Sequence, residues 1–203
     1  PRVPEVWSFQ GWNLAYNISV FFPELEDRWR WVDHGIRLLK KEGLTHNPES
    51  PELHWDIGWM FQHKIGMDFD PAHRYYKFKI REQVSAVLPD GFLPAASGNS
   101  DLTDSVACTF QMSVEKMRSL DDHYGPLDWR LIDSHVLYWA DKGLDLVANK
   151  TEHPNLMRMK MQALAGILRG GRLMISKDQL NPIHFPRFEK LDPILREYER
   201  LLT

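Results

Sequence analysis

Nine histidines in a chain of 203 residues raise metal chemistry first. His54, His63 and His73 lie near Asp56, Asp68 and Asp70 in the sequence. On a helix, however, positions 54 and 63 point about 180° apart, so these two histidines cannot share an ion. Asp70 and His73 converge at a helix start, where capping accounts for the aspartate. Neither HExxH nor a CxxC pair occurs, so no metal site and no cofactor is expected. Nucleophile motifs are missing too. There is no G-x-S-x-G, and Cys108 stands without a local signature and reads as a small buried hydrophobe. Ser113, His123 and Asp133 make a triad on paper only. The run GILRGGR (Gly166 to Arg172) lacks the phosphate-loop pattern and follows a helix instead of a strand. No catalytic residue is assigned, and the expectation is a non-enzyme.

The unusual feature is aromatic: eight Trp within 12% Phe, Trp and Tyr. Lys and Arg number 25 against 28 Asp and Glu, a net charge of −3. A slightly acidic chain lacks the basic footprint of nucleic-acid binding, so no nucleic-acid partner is expected. A single cysteine excludes an intrachain disulfide. No apolar run approaches the roughly 18 to 20 residues of a membrane span. The chain opens at Pro1 without a signal-peptide pattern, which reads as a cut domain or a processed product. Residues 150–177 are locally basic: Lys150, Arg158, Lys160, Arg169, Arg172 and Lys177 oppose only Glu152, with Met157, Met159 and Met161 alongside. Two readings stand. One is a surface for lipid or an acidic partner; the other is a solvated face neutralised in space by the acids Asp121, Asp122, Asp128, Asp133, Asp141 and Asp145.

The elements that must position these residues read as helices, most of them punctuated. Pro4 opens a helix to about Val20. Its stripe of Val6, Phe9, Asn13, Tyr16 and Val20 is widened by Trp7, Trp12, Leu14 and Ile18, which predicts burial between neighbours. Pro23 starts a second helix with acids first and Lys40 and Lys41 last, in line with the helix dipole, ending at Gly43. Pro51 starts a third, to Gly66, and Asp70-Pro71 a fourth, to about Leu88. Residues 89–105, rich in Pro, Gly, Ser and Asp, form a long loop that is either the internal boundary or a functional loop. Further helices are expected near 106–120, over 132–148, from Pro154 to about Leu168, and from Asp192-Pro193 to Leu202. Residues 180–187 read as irregular, and strand signals are almost absent.

Two of these helices match. PEVWSFQGWNLAYNI (Pro4 to Ile18) aligns with PELHWDIGWMFQHKI (Pro51 to Ile65) at an offset of 47 residues, through the shared Pro, Glu, Gly-Trp and closing Ile. A glycine inside a helix costs about 1 kcal/mol relative to Ala, so Gly11 and Gly58 make sense where a partner helix packs closely. The pattern resembles the tetratricopeptide (TPR) repeat: Trp7, Gly11 and Leu14 fit its first helix, as do Ile57, Gly58 and Phe61, with His54 where Trp is expected and Trp55 one place later. Ala72 and Tyr76 fit the second helix, and Pro48 the terminal proline. The offset exceeds the usual period of about 34, so the copies are stretched. WSFQGWNLAYNIS, EDRWRWV and WMFQHKIG are similar to phrases in a group of bacterial tetratricopeptide-repeat proteins whose longer members carry a hydrophobic N-terminal segment. That likeness implies architecture and little chemistry, together with a parent protein attached to a membrane.

The resemblance implies an all-α, TPR-like α-solenoid of antiparallel helix pairs with irregular C-terminal capping helices. Residues 1–88 would hold two degenerate pairs, 89–105 the loop, and 106–203 further pairs that continue and cap the same domain. First helices of such stacks line a concave surface that takes an extended peptide or a helix. By register that surface carries Glu5, Ser8, Trp12, Ala15 and Tyr16, then Glu52, Trp55, Trp59, Gln62 and His63. The candidate binding residues are therefore Trp12, Tyr16, Trp55, Trp59, Gln62 and His63, with Trp12 and Trp59 as neighbours. The rings have two possible places, inter-helix core or open groove. Asn13 and Asn17 lack the basic partner with which some TPR domains clamp a carboxylate, and pairing across helices is expected of them. The expected function is a protein-interaction scaffold. The alternatives are an enzyme or small-ligand binder with a His/Asp pocket near residues 89–105, and a structural module of a membrane-attached complex.

Overall fold

Pro4 and Pro51 each occupy the first turn of a nine-residue helix, where the missing N–H would be unpaired in any case. These helices are α1 (Pro4–Trp12) and α4 (Pro51–Trp59), whose bounds differ by the sequence offset. Each widens after its Gly-Trp into a π-helical segment, Asn13–Ile18 and Met60–Gly66 respectively. The repeat is thus carried by the backbone as well as by residue identity. The structure is a computed structural model, and it describes residues 2–94, 100–149, 152–175 and 182–202.

The element order continues with α2 (Leu25–Leu38), its π extension Leu39–Gly43 and a last turn α3 (Leu44–His46). After α4 come α5 (His73–Val87), α6 (Ser100–Phe110), α7 (Val114–Tyr124), α8 (Ile132–Asp145) and α9 (Pro154–Gly170). A two-stranded antiparallel hairpin, β1 (Arg172–Met174) and β2 (Ile183–Phe185), precedes α10 (Leu191–Leu202). The protein is predominantly helical, and among the described residues no helix is long and apolar enough to cross a membrane. A single hydrophobic cluster runs from Ala15 through Leu53, Phe61 and Trp139 to Ile194.

Glycines set the closest approaches. A Cβ on Gly11 would lie 2.7 Å from Leu39, and one on Gly35 would lie 2.6 Å from the Gly11 carbonyl oxygen. The first pair of helices is therefore locked backbone to backbone. Gly58 meets Met159 and Trp139 in the same way. α8 is enclosed: Ile132, Ser134 to Ala140, Gly143 and Leu144 are all buried, with α4 and α9 packed against it.

The expected helix start at Asp70-Pro71 needs correction: α5 begins at His73 with Ala72 as its N-cap, and Asp70 anchors the turn before it. It accepts from the Ala72 N–H at 2.8 Å, and it pairs with Arg28 on α2 at 2.8 Å and with Lys64 at 2.6 Å. Those two cations hold its carboxyl below the usual range against the opposing effect of burial.

Several expectations need correction. The segment expected as one helix over 106–120 is two. Gln111 takes a left-handed φ of 52°, and the Ser113 hydroxyl then accepts from the Lys116 N–H at 3.2 Å to begin α7. The loop expected over 89–105 is shortened because α6 already starts at Ser100; residues 95–99 of that expectation lie outside the described residues. Residues 183–185 are a strand, paired to β1 in the register Leu173↔His184. Three-residue strands are too short to show alternation. Gly171, at φ 59°, ends α9 and lets the chain turn into β1, where a Cβ would collide with the Phe185 carbonyl. The apolar stripe of α1 is also not enclosed, for Val6, Phe9 and Val20 are exposed, Phe9 by 62%. Helix α1 packs on α2 and α4 and is open elsewhere along that stripe. Cys108 is exposed, not buried. Asn17 pairs with Asn13 on its own helix at 2.9 Å, not across helices.

Replacing Gly35 by Ala should lower the free energy of unfolding by about 1–3 kcal/mol, because a methyl group must push α1 away from α2. In an open helical position the same change adds roughly 1 kcal/mol of stability. Urea unfolding of the Gly35→Ala variant distinguishes the two signs.

Candidate functional site

The outward face of α4 is a column of rings. Trp55 stacks on Trp59 with centroids 5.4 Å apart, Trp59 on His63 at 4.8 Å, and His63 on Phe69 at 5.1 Å. The i, i+4, i+8 spacing of Trp55, Trp59 and His63 places them one above another. On α1 and its π extension, Trp12 stacks on Tyr16 at 5.6 Å. The two columns join at positions equivalent in the repeat, where the Tyr16 and His63 rings lie 5.8 Å apart and the Tyr16 hydroxyl is 3.3 Å from His63 Nδ1. Lower down, the Ser8 hydroxyl donates to the Asp56 carboxylate and ties the helices together again.

The electrostatics suit that geometry. Burial and the neighbouring Lys64 hold His63 below its ordinary range, so it is neutral at pH 7 and Nδ1 can accept the Tyr16 O–H. Burial, with a contribution from Asp56, pushes the Tyr16 hydroxyl well above its usual value, so it remains a donor. Lys64 lies 5.1 Å over the Tyr16 ring while paired to Asp70, which fixes the inner edge of the strip. Glu5 and Glu52 are exposed near the start of the two helices, and Glu52 lies near enough to Asp56 to act on its carboxyl. Trp12 is 44% exposed and Phe69 73% exposed, whereas Trp55, Trp59 and Tyr16 are half-buried.

Five of the six expected residues, Trp12, Tyr16, Trp55, Trp59 and His63, thus lie in one connected strip. Trp12 and Trp59 are linked through Tyr16 and His63 and not by direct stacking. The sixth, Gln62, points elsewhere: it is buried and donates to Gln162 on α9 at 2.9 Å. A π segment does not keep the 3.6-residue register from which Gln62 was placed. Ala15 is fully buried and drops out of the surface as well. Phe69 and Asp56 are additions. Phe69 sits in a loop, where no periodicity could assign it a face.

The remaining candidates separate. His54 is buried, with Nδ1 at 2.8 Å from the Ser50 carbonyl and its ring against Trp139, on the opposite side of α4 from His63. Among the described residues no group of three or more His, Cys, Asp or Glu side chains is placed to hold a metal ion. Ser113 caps α7, His123 approaches Glu197 on α10, and Asp133 lies at the start of α8, so the paper triad does not assemble. The cleft beside the chain at residues 87–94 has Asp90 and Arg172 as its ionisable lining and no histidine among the described residues. In the basic segment, Lys160 is 2% exposed and bridges Asp141 at 2.5 Å and Glu197 at 2.6 Å, and Met159 is buried.

No family model, no curated protein and no solved structure matches this chain.

Asp56 generates a pH test of the strip. Burial pushes its carboxyl up to about 6, outweighing the Ser8 hydrogen bond. A raised carboxyl costs folding stability above about pH 6, and that cost disappears as pH falls through 6 towards the unfolded value near 4. The Asp56→Asn variant should therefore be the more stable protein at pH 7.5, and the two should converge near pH 4. Urea midpoints across that range measure the difference.

Proposed function

We propose that this chain is a non-enzymatic protein-interaction scaffold built from TPR-like helix pairs. It binds an extended peptide with apolar and basic side chains along the aromatic strip. The observation that carries the reading is the strip itself, with rings from two repeat-related helices stacked into one surface with exposed ends at Trp12 and Phe69. Stacked rings offer large contact area with little side-chain entropy left to lose, which is the character of interface hot spots. Glu5, Glu52 and Asp56 favour a partner with Lys or Arg, and the ring faces add cation–π attraction. The TPR-like part of the reading is supported by the matching bounds of α1 and α4, their identical passage into π segments, and the side-by-side packing of these two first helices.

The test is selection of peptides from a displayed random library on the immobilised protein, followed by titration of the synthetic consensus. The consensus should hold aromatic or aliphatic residues beside Lys or Arg. Its affinity should fall about tenfold or more for a Trp12→Ala/Trp59→Ala variant whose circular dichroism is unchanged. No enriched sequence, or equal affinity for parent and variant, overturns the proposal.

A further inference from the structure

A second feature lies away from the strip, on the face where Gln62 points. Helix α5 carries Arg74, Lys77 and Arg81 at i, i+3 and i+7, one stripe of its surface. Across from them stand Arg130, in the turn entering α8, Asp133 on its first turn, and Arg169 near the end of α9. Between these walls is a cleft of about 610 Å³, a size that suits a small organic ligand. Five cationic side chains and one carboxylate line it, in a protein whose net charge is −3.

Much of this charge is built in. Arg130 is 7% exposed and is held on Asp128 by two hydrogen bonds of 2.8 and 2.7 Å. Asp128 also accepts from the Leu173 N–H, and Gly91, at φ 79°, lets the chain press against the pair. Arg81 is 5% exposed beside it and lines the same cleft. Burial and Arg130 push the Arg81 guanidinium down to about 10, the response of a cation placed beside another cation with little water. The single carboxylate is seated as well. Gly166, inside α9, leaves the space that Asp133 fills, and a Cβ there would collide with it. Burial pushes the Asp133 carboxyl up to about 6, opposed by Arg169 and Lys77.

We propose that this cleft binds a soluble small molecule bearing a phosphate group, with Lys77 and Arg81 holding the phosphate and Asp133 accepting from a hydroxyl or amine of the same molecule. A guanidinium and an ammonium side by side on α5, faced by Arg169 across the cleft, match a multiply charged oxyanion better than a lone carboxylate. Arg81 and Arg130 are buried in the cleft while Arg74 and Arg169 are exposed at its edge, so the charge leads into a concavity that suits a small molecule better than a flat nucleic-acid or membrane surface. The proposal is independent of the peptide strip.

Calorimetric titration with inorganic pyrophosphate and with a hexose 6-phosphate tests it. At low salt both should bind saturably at one site. Lys77→Gln should weaken both about tenfold or more, while Arg30→Gln, which removes an equal charge from an exposed position on α2, should leave them unchanged. Asp133→Asn should tighten pyrophosphate and weaken the hexose phosphate relative to it, a reversal that a merely structural aspartate would not produce. Lys77 is only half-buried, so the test does not depend on the fully buried Arg81 tolerating change. Absence of saturable binding, or equal losses in Lys77→Gln and Arg30→Gln, overturns the proposal. So does co-sedimentation with phosphoinositide-containing vesicles without binding of either soluble probe.

Discussion

A helix buried along most of its length has little water for its polar groups, and α8 is in that position from Ile132 to Leu144, with Asp133, Asp141 and Lys142 partly exposed. Several of its polar side chains are answered by neighbouring segments, while His135 Nδ1 and Trp139 Nε1 have no hydrogen-bond partner among the described residues. Ser134 donates to the Asp128 carbonyl at 2.8 Å, and His135 Nε2 lies 2.9 Å from the Trp129 carbonyl. The Tyr138 hydroxyl accepts from the Ser113 N–H at 2.8 Å, and Asp141 takes both Lys116 and Lys160. The entry turn before α8, the start of α7 and the middle of α9 are positioned by these bonds. Burial also keeps His135 neutral, pushing it down to about 3 with help from Lys40. Once these groups of α8 are satisfied, the places of α7 and α9 follow, while α4 is held against α8 by apolar packing.

The Gly-Trp dipeptide shows how one helix serves core and surface together. In α4 the glycine faces Trp139 and Met159 and lets the helices close, while the next residue, Trp59, turns out into the ring column. In α1 Gly11 faces Leu39 and Trp12 turns out likewise. Successive helical residues point about 100° apart, so this pair can face opposite environments. Position 58 would gain helix propensity as alanine, but the inward approach would be lost.

Charge is distributed with equal economy. Lys64 and Arg28 share Asp70, and Lys160 sits between Asp141 and Glu197. Lys40, placed by sequence in the last turn of the second helix, lies over the Phe61 and Trp139 rings and donates to the Phe110 carbonyl at 3.0 Å, at the end of α6. Burial pushes its ammonium down to about 7. Between α5 and α9 five further cations line one cleft, and of these Arg130 is itself paired with Asp128.

Local chemistry was readable wherever a residue acts on its own backbone. Pro4, Pro51 and Pro154 start helices because their φ is fixed and their N–H is dispensable there. The offset of 47 residues survives as matched helix bounds, and five of the six aromatic-strip residues could be named from register alone. Helical periodicity also separated His54 from His63 correctly. Exposure and pairing were not readable, because they depend on what packs from elsewhere in the chain. Val6 and Phe9 look like core in sequence and lie open because no neighbour covers that stripe of α1. Lys160 looks like surface and is enclosed because Asp141 and Glu197, 19 and 37 positions away, converge on it. The hairpin, the break at Gln111 and the cleft at Arg81 belong to the same class. Periodicity describes a segment's own geometry, whereas burial and electrostatic partnership arise only when distant segments meet in space.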